Sequence, residues 1–266
     1  DNMKLKEKIT VILTAVLLLS ASIASVPASA LTIRDPQAML TFEPRRTADG
    51  IDYDVYINHA GSLSTLMFAM DFSSKEKGTI ILTDNACFDI SYSTWNNENN
   101  ASLKAYLGRT GQKAGFSSDE KIKVAQISIP VNISETGKVT AAVTDAVCAG
   151  IPEVGSSAVK GTVTVPESTV KYTVRECSVL SVTQNKIDIL SSENRRADII
   201  YALYDSQGRL INTYKESADL IQGENEITAN AAFFDESGTV SIMIWDSIGS
   251  MQPLADKTII NIQNGE

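Results

Sequence analysis

The sequence predicts an all-β protein built from two consecutive β-sandwiches. Short runs of β-branched, aromatic and aliphatic residues recur along the chain, and turn residues such as Gly, Pro, Asn and Ser separate them. After residue 30 we find no stretch with the 3.6-residue periodicity of an amphipathic helix. Pro166 divides the pattern, because proline cannot donate to a strand ladder. We therefore expect a first domain at 31–167 and a second at 168–266.

Residues 1–30 have the three parts of a secretory signal peptide. A lysine-rich segment precedes an apolar core at 9–19, and the small residues of 28–30 (Ala-Ser-Ala) form a cleavage site. The core is shorter than the roughly 20 residues that span a bilayer, which disfavours the alternative of an uncleaved anchor. We expect a secreted, extracellular protein that begins at Leu31, either free or held at the cell surface by a partner.

The chain is acidic, with 32 Asp and Glu against 23 Lys and Arg and a formal net charge of -9. An acidic surface repels nucleic acid and anionic lipid, and no basic cluster interrupts it. No apolar run after the signal region is long enough to cross a membrane. We therefore expect neither a nucleic-acid partner nor membrane insertion after signal cleavage.

The strongest β signal lies at residues 50–72. Residues 53–57 alternate apolar and polar side chains, which predicts a half-buried strand. Residues 66–72 are apolar on both faces, which predicts a more central strand. The polar, glycine-containing stretch between the two runs predicts a turn.

The first domain has the strand count of a jelly-roll-like sandwich. Within the seventh predicted strand the apolar residues change parity near Ala125, which predicts a bulge or a crossing between sheets. The nine predicted strands lie at residues 39–42, 53–57, 66–72, 79–82, 88–92, 103–107, 122–131, 139–143 and 159–165.

The second domain has seven or eight predicted strands, as in an immunoglobulin-like or fibronectin-like sandwich. Residues 205–208 (Asp-Ser-Gln-Gly) predict a tight hairpin turn. Trp245 has apolar neighbours on both sides, so we expect a core residue. The predicted strands lie at 170–174, 179–182, 187–190, 199–204, 210–214, 226–229, 239–245 and 258–262.

Three cysteines leave two interpretations open. Cys87 and Cys148 end the similar segments Thr-Asp-Asn-Ala-Cys and Thr-Asp-Ala-Val-Cys, which could bring two strand ends together. A disulfide there would stabilise the domain by roughly 4 kcal/mol. Alternatively, these two residues and Cys177 are small buried hydrophobes. The absence of a Cys-x-x-Cys or Cys/His motif disfavours a zinc site, and no metal site is predicted.

A polar stretch at residues 91–100 carries the candidate ligand-binding residues. Trp95 lies among Tyr92, Asn96 and Asn97, and an exposed aromatic ring beside amides suits a sugar, since the ring stacks on the pyranose and the amides bond its hydroxyls. The alternative is that Trp95 is a loop anchor packed against its own domain.

Catalytic residues are not predicted. His59 is the single histidine and lies in the predicted turn, and no Gly-x-Ser-x-Gly motif is present. Asp52 and Asp54 share one strand face, as catalytic carboxylates can, but the same spacing describes a wet β-face. We therefore expect a protein that is not an enzyme.

No cofactor is predicted, although calcium has two candidate routes. Asp84, Asp89 and Asp145 lie near strand ends and carry the oxygen ligands that calcium prefers, but their spacing does not specify a site. The other route is calcium bound by a partner.

Three segments resemble the bacterial cohesin modules and their carbohydrate-binding relatives. They are residues 54–58 (Asp-Val-Tyr-Ile-Asn), 64–72 (Ser-Thr-Leu-Met-Phe-Ala-Met-Asp-Phe) and 121–130 (Lys-Ile-Lys-Val-Ala-Gln-Ile-Ser-Ile-Pro), the last followed by Gly137. The resemblance covers about residues 31–166. It implies a cohesin-like sandwich that captures dockerins, the small calcium-binding modules of secreted glycoside hydrolases, on a sheet face. This chain has no dockerin-like calcium loop, so it would be the receptor.

Residues 240–254 (Val-Ser-Ile-Met-Ile-Trp-Asp-Ser-Ile-Gly-Ser-Met-Gln-Pro-Leu) are similar to the ending of many secreted multidomain proteins of Gram-positive bacteria. The resemblance implies an accessory, non-catalytic Ig-like domain. Three functions follow as hypotheses: a cohesin-type extracellular protein binder, a carbohydrate-binding module, and a structural component of the cell surface or matrix.

Overall fold

The computed structural model describes residues 36–83, 87–110, 115–151, 156–234 and 237–262, so the predicted signal peptide lies outside it. Within these ranges there is no α-helix and one short 3₁₀ turn, Ala231–Phe233, which confirms the all-β prediction. The strands are β1 Gln37–Arg46, β2 Gly50–Phe72, β3 Thr79–Leu82, β4 Ile90–Asn96, β5 Ser102–Gly108, β6 Phe116–Ser118, β7 Ile122–Pro130, β8 Gly137–Gly150, β9 Val159–Lys160, β10 Thr162–Thr164, β11 Thr169–Val174, β12 Cys177–Val182, β13 Lys186–Ser191, β14 Arg195–Tyr204, β15 Leu210–Leu220, β16 Gly223–Thr228, β17 Gly238–Trp245 and β18 Thr258–Ile262.

By its internal contacts the chain divides into two compact units. Among the described residues, the first takes in 36–45, 52–130 and 140–171, and the second takes in 46–51, 131–139 and 172–262. The strand that we expected to open the second domain, β11, instead pairs with β8.

Strand β2 organises the first unit because it belongs to two sheets. Its first half lies beside β1 and β7, and β10 and β3 extend that layer, which we call sheet I. Its second half pairs with β5 on one side and β8 on the other, and β4 pairs with β5, which gives the order β4-β5-β2-β8 that we call sheet II. The two runs at residues 50–72 are therefore one continuous strand, and the predicted turn between them is wrong.

The bend in β2 occurs at Ser62, whose φ of 45° lies in the left-handed region. Its N–H donates to Ser117 Oγ at 2.8 Å instead of to a strand ladder. Two glycines allow neighbouring backbones to approach this point: a Cβ built on Gly115 or Gly150 would lie 2.0 Å or 1.8 Å from the Ser62 carbonyl oxygen. The chain thus changes sheets without ending the strand.

The inner faces of sheets I and II form one aromatic core. Phe42 of sheet I packs edge-on against Phe68 of sheet II, with ring centroids 5.7 Å apart, and Tyr53 packs against Phe72 at 5.6 Å. All four side chains are buried. These contacts hold the two layers face to face, which is the predicted sandwich.

Strand β7 changes its inward face as the sequence predicts. Val124 and Ala125 are consecutive and both fully buried, and the buried parity then continues at Ile127 and Ile129. The buried side chains therefore change from even-numbered to odd-numbered residues at Ala125.

The second unit is a sandwich of two antiparallel sheets, ordered β12-β13-β16 and β15-β14-β17-β18. Ile187 and Ile189 from the first sheet share one buried cluster with Ile199 and Ile242 from the second. Trp245 is not part of that core: β17 buries Val240, Ile242 and Ile244, so the opposite parity places Trp245 on the outer side.

The predicted hairpin turn between β14 and β15 is confirmed. Gly208 has a φ of 75°, and its N–H donates to the Asp205 carbonyl oxygen at 3.0 Å. The Asp205 carboxylate also accepts the backbone N–H groups of Gln207 and Arg209, both at 2.9 Å. Glycine is required here because other residues reach this φ only at a cost.

Candidate binding face

The outer face of sheet II is built by strict alternation along its strands. In β5, Leu103, Ala105 and Leu107 are buried in the core, so Lys104 and Tyr106 point outward. The same alternation in the second half of β2 turns its odd-numbered residues outward. The outward residues of four strands therefore form one surface.

Four large side chains cross this surface in one row, which we call the tyrosine row: Tyr92, Tyr106, Met67 and Val147. The register sets each beside the next, from β4 through β5 and β2 to β8. The two tyrosine rings lie 6.1 Å apart. Tyr92 is 40% exposed and the other three side chains are half-buried, so the row offers apolar and aromatic area to a ligand.

The row on one side of the tyrosine row is polar. It consists of Thr94, Lys104, Ala69 and Asp145 in register, so that a cation and an anion stand on either side of a small residue. Both charged side chains are exposed. The row is therefore positive at Lys104 and negative at Asp145.

The row on the other side is packed. Ile90 is followed in register by Gly108, Thr65 and Ala149. Gly108 is covered by its neighbours, because a Cβ built on it would lie 3.3 Å from the Ile90 side chain and 3.7 Å from that of Thr65. The face therefore has a row of large side chains with a charged row on one side and a packed row of smaller residues on the other.

The outer face of sheet I has a different character, because its polar side chains bind each other. Asp52 is only 6% exposed. It accepts hydrogen bonds from Arg45 at 2.7 Å, from Gln126 at 2.9 Å and from Ser128 at 2.6 Å. The expectation of a wet face at Asp52 is therefore wrong, since these partners cover the carboxylate.

The remaining charges of sheet I are also paired. Lys123 Nζ lies 2.6 Å from Asp54 Oδ1, and Lys121 binds Glu43 while its Nζ lies 4.3 Å above the Tyr56 ring. Groups that already satisfy each other offer little to a ligand. Sheet II is therefore the better candidate for binding.

The structure separates the predicted ligand-binding residues. Trp95 lies within β4 and not in a loop, and its ring packs 5.9 Å from that of buried Phe72. Tyr92 and Asn96 have the opposite parity and lie on the outer face, while Asn97 is exposed just after the strand. The Trp95 ring therefore packs against the core, although its polar sequence neighbours suggested exposure.

The Cys87–Cys148 disulfide is not formed. Cys148 is a buried free thiol on β8, and its Sγ lies 3.5 Å from the Thr162 carbonyl oxygen and 3.8 Å from that of Pro36. Burial raises the pKa of Cys148 to about 11. Cys177 is likewise a buried free thiol in the second unit. Burial as small hydrophobes is the interpretation that fits Cys148 and Cys177.

Two of the candidate calcium carboxylates lie on different strands, and the third, Asp84, lies outside the described residues. Asp89 precedes β4 and Asp145 lies in β8, and β5 and β2 separate these two strands. Asp89 also accepts the Thr110 N–H at 2.6 Å. Among the described residues no group of three metal-ligating side chains is present. The His59 side chain lies outside the described part of the structure.

No helix within the described ranges is long and apolar enough to cross a membrane.

Three residues of the tyrosine row were not predicted from the sequence. Met67 and Val147 lie in runs that are apolar on both parities, so their outward direction was not apparent, and alternation alone did not show that Tyr106 would lie beside Tyr92. The register between strands, which no single run encodes, assembles the row.

The structure is similar to solved proteins at low identity. A type I cohesin, the seventh of ScaB from Pseudobacteroides cellulosolvens, matches with 10% identity and a TM-score of 0.38 over 52% of this chain and 92% of that one. The type II cohesin dyad of the adaptor scaffoldin ScaA from Acetivibrio cellulolyticus matches with 6% identity and a TM-score of 0.29 over 85% and 93%. A β-glucuronidase from Bacteroides uniformis matches with 9% identity and a TM-score of 0.24 over 81% and 26%.

No protein-family model matches the sequence, and no curated protein does. The likenesses to solved structures are distant, so the assignment of a function to sheet II depends on its own residues.

Proposed function

We propose that the first unit is a non-catalytic binding module of a secreted protein and that the outer face of sheet II docks a protein partner. The observation that carries the proposal is the tyrosine row, which remains partly exposed while the outer face of sheet I is closed by its own ion pairs. Tyr and Met are enriched in protein interfaces, because they bury large area and adapt to a partner surface.

The dimensions of the row suit a helix. Four neighbouring strands about 4.8 Å apart give a row of roughly 14 Å. A helix rises 1.5 Å per residue, so about nine residues would cover it with apolar side chains at i, i+3 or i+4, and i+7.

The charges would set the direction of that helix. Lys104 and Asp145 stand on either side of Ala69 in the polar row, so a partner helix with an acidic residue near the first and a basic residue near the second is favoured. Complementary rim charges govern specificity and association rate more than affinity.

A dockerin is the partner that the resemblance of residues 54–58, 64–72 and 121–130 to cohesins implies. Such a partner would carry its own calcium. Under this proposal, binding is calcium-dependent through the partner.

Affinity capture from the culture supernatant of the source organism tests the proposal. Immobilised residues 31–266 should retain a protein with dockerin-like calcium loops when calcium is present, and chelator should release it. The bait variant Tyr106→Lys should lose that protein, because a charge would be buried at the centre of the row. Retention that is the same for both baits would refute docking on sheet II.

Tyr56→Lys is the matched control, because Tyr56 is a half-buried tyrosine on the outer face of sheet I. This variant should retain the partner as well as the unchanged bait does. Loss of capture through Tyr56→Lys alone would move the docking surface to sheet I.

Carbohydrate binding is the second candidate, and the pair of tyrosine rings beside Asn96 favours it. Tyr92 and Tyr106 present adjacent rings on one face, and aromatic rings stack on sugars. Retention of the protein on an insoluble polysaccharide, abolished by Tyr92→Ala, would support this function. If the unchanged protein is not retained, it does not bind the polysaccharide that was used.

A further inference from the structure

Strand β15 is a long edge strand of the second unit. Among the described strands it pairs with β14 alone, along residues 210–220. Natural sheets usually protect such an edge, because its free N–H and C=O groups accept another strand. Here β15 contains no proline, and its residues from Leu210 to Lys215 are exposed.

The free edge can be located along the strand. The Thr213 N–H donates to Asn212 Oδ1 at 2.8 Å and not to β14. Because N–H groups alternate between the two edges of a strand, the N–H groups of Lys215, Ser217 and Asp219 point to the same free edge. These three donors are thus available to a second strand.

We propose that the second unit dimerises by antiparallel pairing of β15 with β15 of a second copy, centred on Ser217. Only this register sets Lys215 opposite Asp219 of the second copy, and the two-fold symmetry makes this ion pair twice. A register centred one residue earlier opposes two Glu216 side chains, and one centred two residues earlier opposes two Lys215 side chains, which repel each other.

The core-side residues also match in this register. Tyr214, which is 40% exposed, lies opposite Leu220 of the second copy, and Glu216 lies opposite Ala218. Leu220 is buried in its own unit, so pairing would bring the exposed Tyr214 ring to the edge of that core without opposing a charge to it. The two four-stranded sheets would join into one continuous antiparallel sheet.

The side chains of Lys215 and Asp219 are accessible for an ion pair with a second copy. The Asp219 side chain is 83% exposed and lies 3.8 Å from a similarly exposed partner, Arg196, a contact that contributes little. Lys215 lies 3.2 Å from Asp198 Oδ1 and remains 42% exposed. A second acid across the new ladder would add to that contact.

Sedimentation equilibrium of residues 31–266 across a concentration series tests the proposal. The unchanged protein should show a monomer–dimer equilibrium that weakens as salt is added. Asp219→Lys and Lys215→Glu should each be monomeric, since each opposes like charges twice. An equimolar mixture of the two variants should dimerise, because both cross-strand pairs between positions 215 and 219 then join a cation to an anion.

Two results would overturn the proposal: an unchanged protein that stays monomeric at every concentration, or variants that dimerise separately as well as they do together. Circular dichroism melting checks that each variant is folded. If Lys215→Glu fails to fold because of Asp198, hydrogen exchange of the unchanged protein decides: the Ser217 amide should exchange several-fold more slowly at high concentration, and equal rates would refute pairing at this edge.

Discussion

Trp95 and Phe72 lie ring to ring, with centroids 5.9 Å apart, on the core side of sheet II. Gly78 lies against the same indole: a Cβ built on it would be 3.0 Å from Trp95 Cη2. Trp95 therefore faces away from Tyr92, three residues earlier on β4. The contact makes Trp95 a structural residue of the first unit.

The variant Trp95→Ala should lose about 2–3 kcal/mol of the free energy of unfolding, because it leaves a cavity beside Phe72. Tyr92→Ala, on the outer face, should change that free energy by less than about 1 kcal/mol. Urea denaturation of both variants measures the difference. Equal stability of the two would contradict the placement of Trp95 in the core.

The variant Gly150→Ala should destabilise the first unit by about 2 kcal/mol, because the added Cβ would lie 1.8 Å from the Ser62 carbonyl oxygen. Gly249→Ala is a control, since a Cβ there meets nothing closer than 3.8 Å. Thermal unfolding monitored by circular dichroism compares the two. A harmless Gly150→Ala would mean that β2 does not cross between sheets at Ser62.

Asp198 should make the second unit sensitive to acid. Hydrogen bonds from Ser217 and from the Ile248 N–H lower the pKa of Asp198 from 3.8 to about 2. Since the folded pKa is below the unfolded one, the carboxylate stabilises the fold above pH 4, and this contribution is lost as the pH falls toward 2.

The variant Asp198→Asn should flatten the dependence of the melting temperature on pH between about 4 and 2. Melting curves of the unchanged protein and the variant at several pH values provide the measurement. Parallel pH profiles for the two proteins would show that Asp198 does not titrate as the hydrogen bonds require. Asp246→Asn, which changes a carboxylate with an exposed side chain, is the matched control.

Cys148 should be a free but unreactive thiol. Its raised pKa, about 11, and its burial keep the reactive thiolate scarce in the folded protein. Alkylation without reductant should therefore modify Cys148 rapidly only after unfolding, as read by peptide mass spectrometry. Recovery of a peptide that joins Cys87 to Cys148 would show the disulfide that the structure lacks.

The sequence predicted more of the fold than of the candidate site, and β2 shows why. Alternation predicted strands in both halves of residues 50–72, because a strand that buries one face needs an apolar residue at every second position. The polar residues between them looked like a turn, since Ser62 carries no local sign that it bends a continuous strand. The neighbours that hold the bend, Gly115 and Gly150, come from distant parts of the chain.

The sequence by itself determined the two sandwiches, the hairpin turn at Gly208 and the parity change in β7, because each depends on a local periodicity or a backbone preference. Tertiary structure decided which faces are open. Trp95 was turned inward and the tyrosine row was assembled by the register of four strands, and Asp52 was covered by partners up to 76 residues away. Pairing between distant strands is set by the packing of the whole unit, so no single run of sequence contains it.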